Sequence, residues 1–318
     1  MALLAPGKVR ALTQASNDAG VFTIFAIDHR DAMRAILDPD DPQAVPASTL
    51  TDLKLAFVRA MSPHASAVLV DPEYSAIQAV RDQAIGRDTA FLVALEAQGY
   101  LGDPHERLTS LLDGWSVERA KRLGASGVKL LLPYRPDSEA ADAQDALVSE
   151  VVAECARYEI PLFLEPIGYR IEGESPQRER RWIVCESVRR LGALGPDILK
   201  VPFPEDTSRV DLPAWRDACV ELNEACPVPW ALLSGGDELD SFATQVEVAC
   251  HAGSSGFLVG RALWASVIVG DPQTRRTAIN DHVVPGFTRL ARIATSLGRS
   301  WIDRVGPEGL DPVPFGTY

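Results

Sequence analysis

Lys129 and Lys200 are the residues of this chain whose type and placement can do chemistry. Lysine is scarce here: only five of the 31 basic residues are Lys (Lys8, Lys54, Lys121, Lys129 and Lys200), and the rest are Arg. Two of those five nevertheless sit in apolar, strand-like runs, Lys129 in SGVKLLL and Lys200 in PDILKVPF. An ammonium is costly to bury, and a surface strand has no need of one. What lysine offers and arginine lacks is an amine that gives up its proton. Burial lowers the pKa of such an amine and makes it a nucleophile. Two of them point to Schiff-base chemistry on a carbonyl substrate. The competing reading is a buried structural ion pair with Glu165 or Asp28.

The elements that must position these amines are short and apolar. Eight runs recur, at 21–28, 66–71, 90–96, 127–133, 160–166, 197–203, 229–234 and 256–260. Each is nearly continuous in apolar residues rather than alternating, as parallel strands covered on both faces read. Amphipathic, charged stretches of helical period lie between most of them, among them STLTDLKLAFVRAMSP and AQDALVSEVVAECARYE. That succession predicts an α/β fold of one domain over residues 1–318, a (β/α)₈ TIM barrel with a C-terminal extension from about residue 272. An open doubly wound sheet is the alternative, but no GxGxxG turn follows the first run.

In this fold the chemistry sits at the C-terminal ends of the strands. Those ends carry Asp28-His29-Arg30, Asp71-Pro72-Glu73-Tyr74, Glu96, Lys129 with Tyr134 and Arg135 beyond it, Glu165, Lys200, Ser234-Gly235-Gly236 and Gly260-Arg261. Taken singly, Asp71 or Ser234 reads equally well as a helix cap. Neither lysine reads as one. Ser234, Gly235 and Gly236 after the seventh strand, with Gly260 and Arg261 after the eighth, suit an anion. Glycines admit backbone N–H groups, arginine adds a fork of donors, and these two loops are the usual phosphate site of the barrel. Either glycine motif alone is as well explained by a plain turn.

Composition narrows the classes. The net charge of −13 and pI near 4.9 argue against nucleic acid or an anionic membrane as partner. No apolar run is long enough to span a bilayer, and MALLAPGKVR is too short an apolar start for a secretory signal, so a cytoplasmic location is expected. The five cysteines show no CxxC spacing and read as reduced core thiols. His64, His105, His251 and His282 form no HxH or HExxH, so no metal and no cofactor is expected. His29, at a strand end, is a candidate substrate contact.

The stretches FAIDHRDAM, LVDPEYSAIQAV, LDGWSVERAKRLGASGVKLLLPYRPD, PLFLEPIGY, DILKVPFP, ALLSGG and GFLVGRALW span all eight strands. Together they resemble the class I tagatose-1,6-bisphosphate aldolase family, which includes sulfofructose-phosphate aldolases. The resemblance implies a TIM barrel that reversibly cleaves a phosphorylated ketose to dihydroxyacetone phosphate and an aldehyde. It also implies that Lys200 forms the Schiff base, Lys129 is the second active-site lysine, Glu165 is the acid/base and Asp28 handles a substrate hydroxyl. Ser234, Gly235, Gly260 and Arg261 match its phosphate loops. The chain departs from the family at His29, where many relatives read Gln, at Pro166 and at Pro202. The stretch after the sixth strand is also shorter, which leaves the aldehyde half open. A sulfofructose-phosphate aldolase, a sulfofructose transaldolase, a sugar-phosphate isomerase or epimerase and a non-catalytic sugar-phosphate sensor are the other readings. Arg30, His29, Tyr134, Arg135 and Arg170 are expected to decide among sugar-phosphate or sulfosugar ligands. A homo-oligomer is expected, with Trp301, Phe315 and Tyr318 in the tail offering apolar surface.

Overall fold

A strand with no polar face forms only where both of its faces are covered. In the computed structural model, which describes residues 4–169 and 176–310, all eight apolar runs are strands. They are β1 (Phe22–Ala26), β2 (Ala67–Val70), β3 (Ala90–Ala94), β4 (Gly127–Pro133), β5 (Leu162–Ile167), β6 (Ile198–Val201), β7 (Trp230–Leu233) and β8 (Gly256–Val259). Each pairs in parallel with the next, and β8 closes on β1, so the sheet is a barrel in sequence order. The predicted TIM barrel is the observed fold. Several strands are shorter than their apolar runs. Asp28, Asp71, Glu96, Ser234 and Gly260 lie just beyond the last ladder residue, where the chain turns into its loop.

Alternation along each strand divides the core in two. One set of buried side chains, including Phe25, Val68, Val128 and Leu199, packs outward on the helices. The other, including Phe22, Ile24, Leu92, Phe163, Ile198 and Leu258, fills the barrel. Counting in twos along the inner set leads directly to the polar residues: Phe22-Ile24-Ala26-Asp28, Leu92-Ala94-Glu96, Gly127-Lys129, Phe163-Glu165 and Ile198-Lys200. Register agrees, with Lys129 beside both Ala94 and Phe163, and Lys200 beside Ala231.

The far end of the barrel is plugged. Leu12 and Ala15 of the helix Pro6–Ala15 and Trp301 and Val305 of the helix Trp301–Val305 pack on the inner cluster. Beneath them Lys8 Nζ donates to Asp197 at 2.8 and 3.0 Å, and Asp197 also accepts the Leu162 N–H at 2.8 Å. At the closing seam Gly256 has φ +123° and runs so near β1 that a Cβ would sit 2.0 Å from Phe22 O, so no side chain fits there. The long helix after β8, Val284–Leu297, covers the same seam with Phe287 edge-on to Phe25 and Phe257. Phe315 and Tyr318 of the tail lie outside the described residues. All five cysteines are buried and unpaired, and burial pushes the thiols of Cys155, Cys185, Cys219 and Cys250 up to about 12. Among the described residues, no helix is long and apolar enough to cross a membrane.

The plug yields a stability test. Lys8→Met leaves the Asp197 carboxylate buried with only a backbone donor, which is expected to lower unfolding free energy by about 3–5 kcal/mol in urea titrations. An unchanged midpoint would show that the pair is not part of what closes the barrel.

Candidate active site

The inward residues of β4, β5 and β6 and those just past β1 and β3 converge at the barrel's C-terminal end. Lys129 Nζ lies 2.8 Å from Asp28 Oδ2, 2.6 Å from Glu96 Oε1 and 3.0 Å from Glu165 Oε2. Lys200 Nζ lies 2.7 Å from Glu165 Oε1. Glu165 thus stands between the two amines, one oxygen to each. All five side chains are buried. The ion-pair reading of the sequence is geometrically correct for Lys129, which has three carboxylate partners. Among the described residues Lys200 has one, Glu165.

The electrostatics follow from that unequal sharing. Burial alone pulls the Lys129 ammonium down, but Asp28, Glu165 and Glu96 outweigh it and hold the group well above the usual lysine value. Burial pushes the Asp28 carboxyl up, yet Lys129, then His29 and Lys200, hold it well below the carboxylate range. Glu165 is also lowered: Lys129 and Lys200 overcome its desolvation and the repulsion of Asp28. Lys129 is therefore a fixed cation, and Asp28 and Glu165 beside it are anionic at neutral pH.

A further buried lysine braces this group from below. Lys54 Nζ donates to the backbone carbonyls of Ile27 and His29, both at 2.7 Å, and to Asp71 Oδ2 at 2.6 Å. It thereby pins the backbone on both sides of Asp28. Asp71 accepts in addition from Ser75 Oγ and from the N–H groups of Glu73 and Tyr74. Asp71 is not the helix cap that its strand-end position suggests: Ser75 holds the N-cap of the following helix, Ala76–Arg81, and Asp71 ties the turn before it and is no part of the cavity lining.

Above the charged floor opens a cavity of about 760 Å³. His29 lines it, edge-on to Trp264 with ring centroids 5.2 Å apart. Burial pushes its imidazole down to about 4, against the pull of Asp28, so the ring is neutral at neutral pH. Asp28 Oδ1 and His29 Nδ1, 3.6 Å apart, make no hydrogen bond among the described residues. Ser234, Gly235, Gly260 and Arg261 line one side together. Gly235 and Gly236 take φ +53° and +106°, which folds the loop back so that Arg261 Nη2 donates to Gly235 O at 2.7 Å. Gly236 lies where an added Cβ would meet Arg261 Cζ at 3.5 Å, and it does not line the cavity.

Three expected contacts are elsewhere. Arg30 is buried beneath the rim, where it donates to Glu73 and, at 2.7 Å, to Glu96 O, because the chain has already left the strand and turned inward under the loop. Tyr134 faces the helix layer and donates to Asp145 at 2.8 Å. Arg135 is folded back on Asp137 at 2.7 Å. None of the three lines the cavity. Arg170 lies outside the described residues. Glu96 was noted only as a strand end, yet it is the closest carboxylate to Lys129, and the alternation Leu92-Ala94-Glu96 marks it as inward. Among the described residues no group of three or more His, Cys, Asp or Glu is arranged to hold a metal ion.

With this geometry in view, the relatives of the chain are informative. Residues 22–266, which contain every strand, match the DeoC/LacD family aldolase model. The chain is 31% identical over 282 residues to tagatose 1,6-diphosphate aldolase 1 of Enterococcus faecalis, covering 82% of this chain and 85% of that one. It is 30% identical over 284 residues to tagatose 1,6-diphosphate aldolase of Streptococcus agalactiae serotype V, covering 82% and 86%. Among solved structures, an archaeal fructose-1,6-bisphosphate aldolase with its catalytic Lys covalently bound to a carbinolamine intermediate superposes with a TM-score of 0.60. It is 19% identical, over 91% of this chain and 99% of that one.

The charge arrangement predicts a reversal of pH dependence. Asp28 and Glu165 have lowered pKa values, so their contribution to stability is full above the unfolded value of about 4 and is lost as pH falls below it. Lys129→Met removes the nearest cation from buried Asp28, which then gains a proton more readily folded than unfolded. The variant is expected to lose about 3–5 kcal/mol at pH 7, and its stability should fall as pH rises from about 4 to 7. Urea unfolding across that range measures this. A variant that tracks the wild-type pH profile would contradict the assignment of Lys129 as the common cation.

Proposed function

The chain belongs to the DeoC/LacD family of aldolases, and on that premise we propose that it cleaves a phosphorylated ketose, such as tagatose 1,6-bisphosphate, through a Schiff base on Lys200. The products are dihydroxyacetone phosphate and an aldehyde. The carbon–carbon lyase class follows from the family; the covalent lysine, the substrate and the residue roles are the proposal. The observation that carries it is the unequal sharing of Glu165. Lys129 is saturated by three carboxylates, whereas Lys200 faces one carboxylate that can take and return its proton.

The chemistry then runs through these side chains alone. Lys200, its proton passed to Glu165, attacks the ketose C2 carbonyl and forms a carbinolamine. Glu165 returns a proton to the departing hydroxyl, water leaves and an iminium forms. Lys129 remains charged throughout and keeps Glu165 and Asp28 in place. Asp28, which lines the cavity, accepts a hydrogen bond from the C4 hydroxyl. Glu165 removes that proton, the C3–C4 pair flows into the iminium and the aldehyde departs. Protonation of the enamine at C3 and hydrolysis release the three-carbon product and free Lys200. Ser234, the backbone of Gly235 and Gly260, and Arg261 hold the C1 phosphate, so that binding remote from the bond aims C2 at the amine. The archaeal neighbour, whose catalytic Lys carries a carbinolamine, lends support to this route.

Substitution separates the two amines. Lys200→Met, which leaves Glu165 paired with Lys129, is expected to lower kcat for triose release by at least about 10³-fold. Glu165→Gln should lower it by about 10²–10⁴-fold. Near-full turnover by Lys200→Met would defeat the mechanism.

A further inference from the structure

Just past β1 the fold leaves two buried polar atoms without partners. Asp28 Oδ1 and His29 Nδ1 are both closed to solvent, bonded to nothing among the described residues, and 3.6 Å apart. Such atoms are uncommon in folded proteins, and here they fix the state of the imidazole. Burial brings His29 down to about 4, so at neutral pH the ring is neutral and carries one proton. Asp28 is anionic and favours that proton on the nitrogen that faces it, Nδ1. Nε2 is left with its lone pair. Unlike Nδ1 it is not closed off, it has no partner among the described residues, and the ring lines the cavity.

The ring is held in this pose. Trp264 meets it edge-on, and Trp264 Nε1 is itself fixed by a 3.1 Å bond to Ala26 O. A Cβ added to Gly260 would stand 3.0 Å from His29 Cε1, so the ring lies against the bare backbone of the β8 loop. Lys54 holds the His29 carbonyl at 2.7 Å. A ring kept only to pack on Trp264 needs no nitrogens, and Phe would fill the space without leaving a buried Nδ1 unpaired.

The position of the ring identifies what it faces. On one side it touches Gly260, assigned above to the C1 phosphate; on the other it adjoins Asp28, assigned to the C4 hydroxyl. A ketose that runs from one to the other passes C2, whose oxygen is lost when the iminium forms on Lys200, and then C3. The C3 hydroxyl is the oxygen that lies between. A hydroxyl can donate to a lone pair, whereas a phosphate oxygen cannot.

We propose that His29 Nε2 accepts a hydrogen bond from the C3 hydroxyl, which makes the enzyme selective for three-carbon units that carry it. The inference rests on the aldolase reading above and adds to it the group that reads the carbon beside the Schiff base.

Two ketones test it with the full-length protein: dihydroxyacetone phosphate, and hydroxyacetone phosphate, which has a methyl in place of the hydroxymethyl and so lacks only the hydroxyl in question. Each is titrated against the protein in the presence of borohydride, and the half-saturating concentration for adduct formation is read by intact mass. The measure is the factor by which a substitution raises that concentration on each ketone, so that their unequal carbonyl reactivity cancels. His29→Phe, which keeps a ring against Trp264, should raise it about 10–100-fold for dihydroxyacetone phosphate and less than about 3-fold for hydroxyacetone phosphate. His29→Ala should show the same contrast without the ring. His29→Gln, whose amide oxygen can accept, should recover part of the loss on dihydroxyacetone phosphate alone. An equal factor on both ketones, or no change on dihydroxyacetone phosphate, would overturn the inference and leave the aldolase reading standing. Absence of any adduct on the wild-type protein with either ketone would bring down the Schiff-base reading, and this inference with it.

Discussion

One ammonium organises this protein's catalytic floor. Lys129 ties together carboxylates delivered by β1, β3 and β5. Without it, Asp28, Glu96 and Glu165 would be three buried anions in mutual repulsion. With it, each is held in one position. The cost of burying such charges is offset only when geometry and hydrogen bonding are nearly complete. That is why the supporting groups are so extensive: Glu96 takes the Leu131 N–H as well, and Lys54 holds the carbonyls of Ile27 and His29, the residues on either side of Asp28.

The arrangement also divides labour between two chemically identical side chains. A lysine surrounded by three carboxylates is a cation by construction and serves as a fixed electrostatic post. The lysine beside a single carboxylate, itself shared with that post, is the one proposed as the covalent amine. The difference comes from the strands on which they stand. Lys129 on β4 lies between β3 and β5, both of which supply acids. Lys200 on β6 lies between β5, which supplies Glu165, and β7, which supplies apolar Ala231 at the same level.

Much of this was legible in the sequence. Uninterrupted apolar runs identified the strands and hence the barrel, and the cost of burying lysine singled out Lys129 and Lys200. Counting in twos from the inward apolar residues separates true floor residues from neighbours: Asp28, Glu96, Lys129, Glu165 and Lys200 all lie in phase, whereas Tyr134 is out of phase with Leu131 and Pro133 and faces the helices. The rule holds only while the chain is still a strand. Arg30 and Arg135 keep the phase on paper, but they lie in loops whose turns redirect them to Glu73 and Asp137.

The central claim is that the two floor lysines are not interchangeable: Lys200 is the covalent amine and Lys129 is the fixed cation. Reduction with borohydride during turnover of a ketose phosphate, followed by peptide mass mapping, tests it most directly. The account predicts a single reduced adduct per chain, on the peptide containing Lys200, with Lys129 unmodified. An adduct on Lys129, or full activity after borohydride treatment in the presence of substrate, would contradict it.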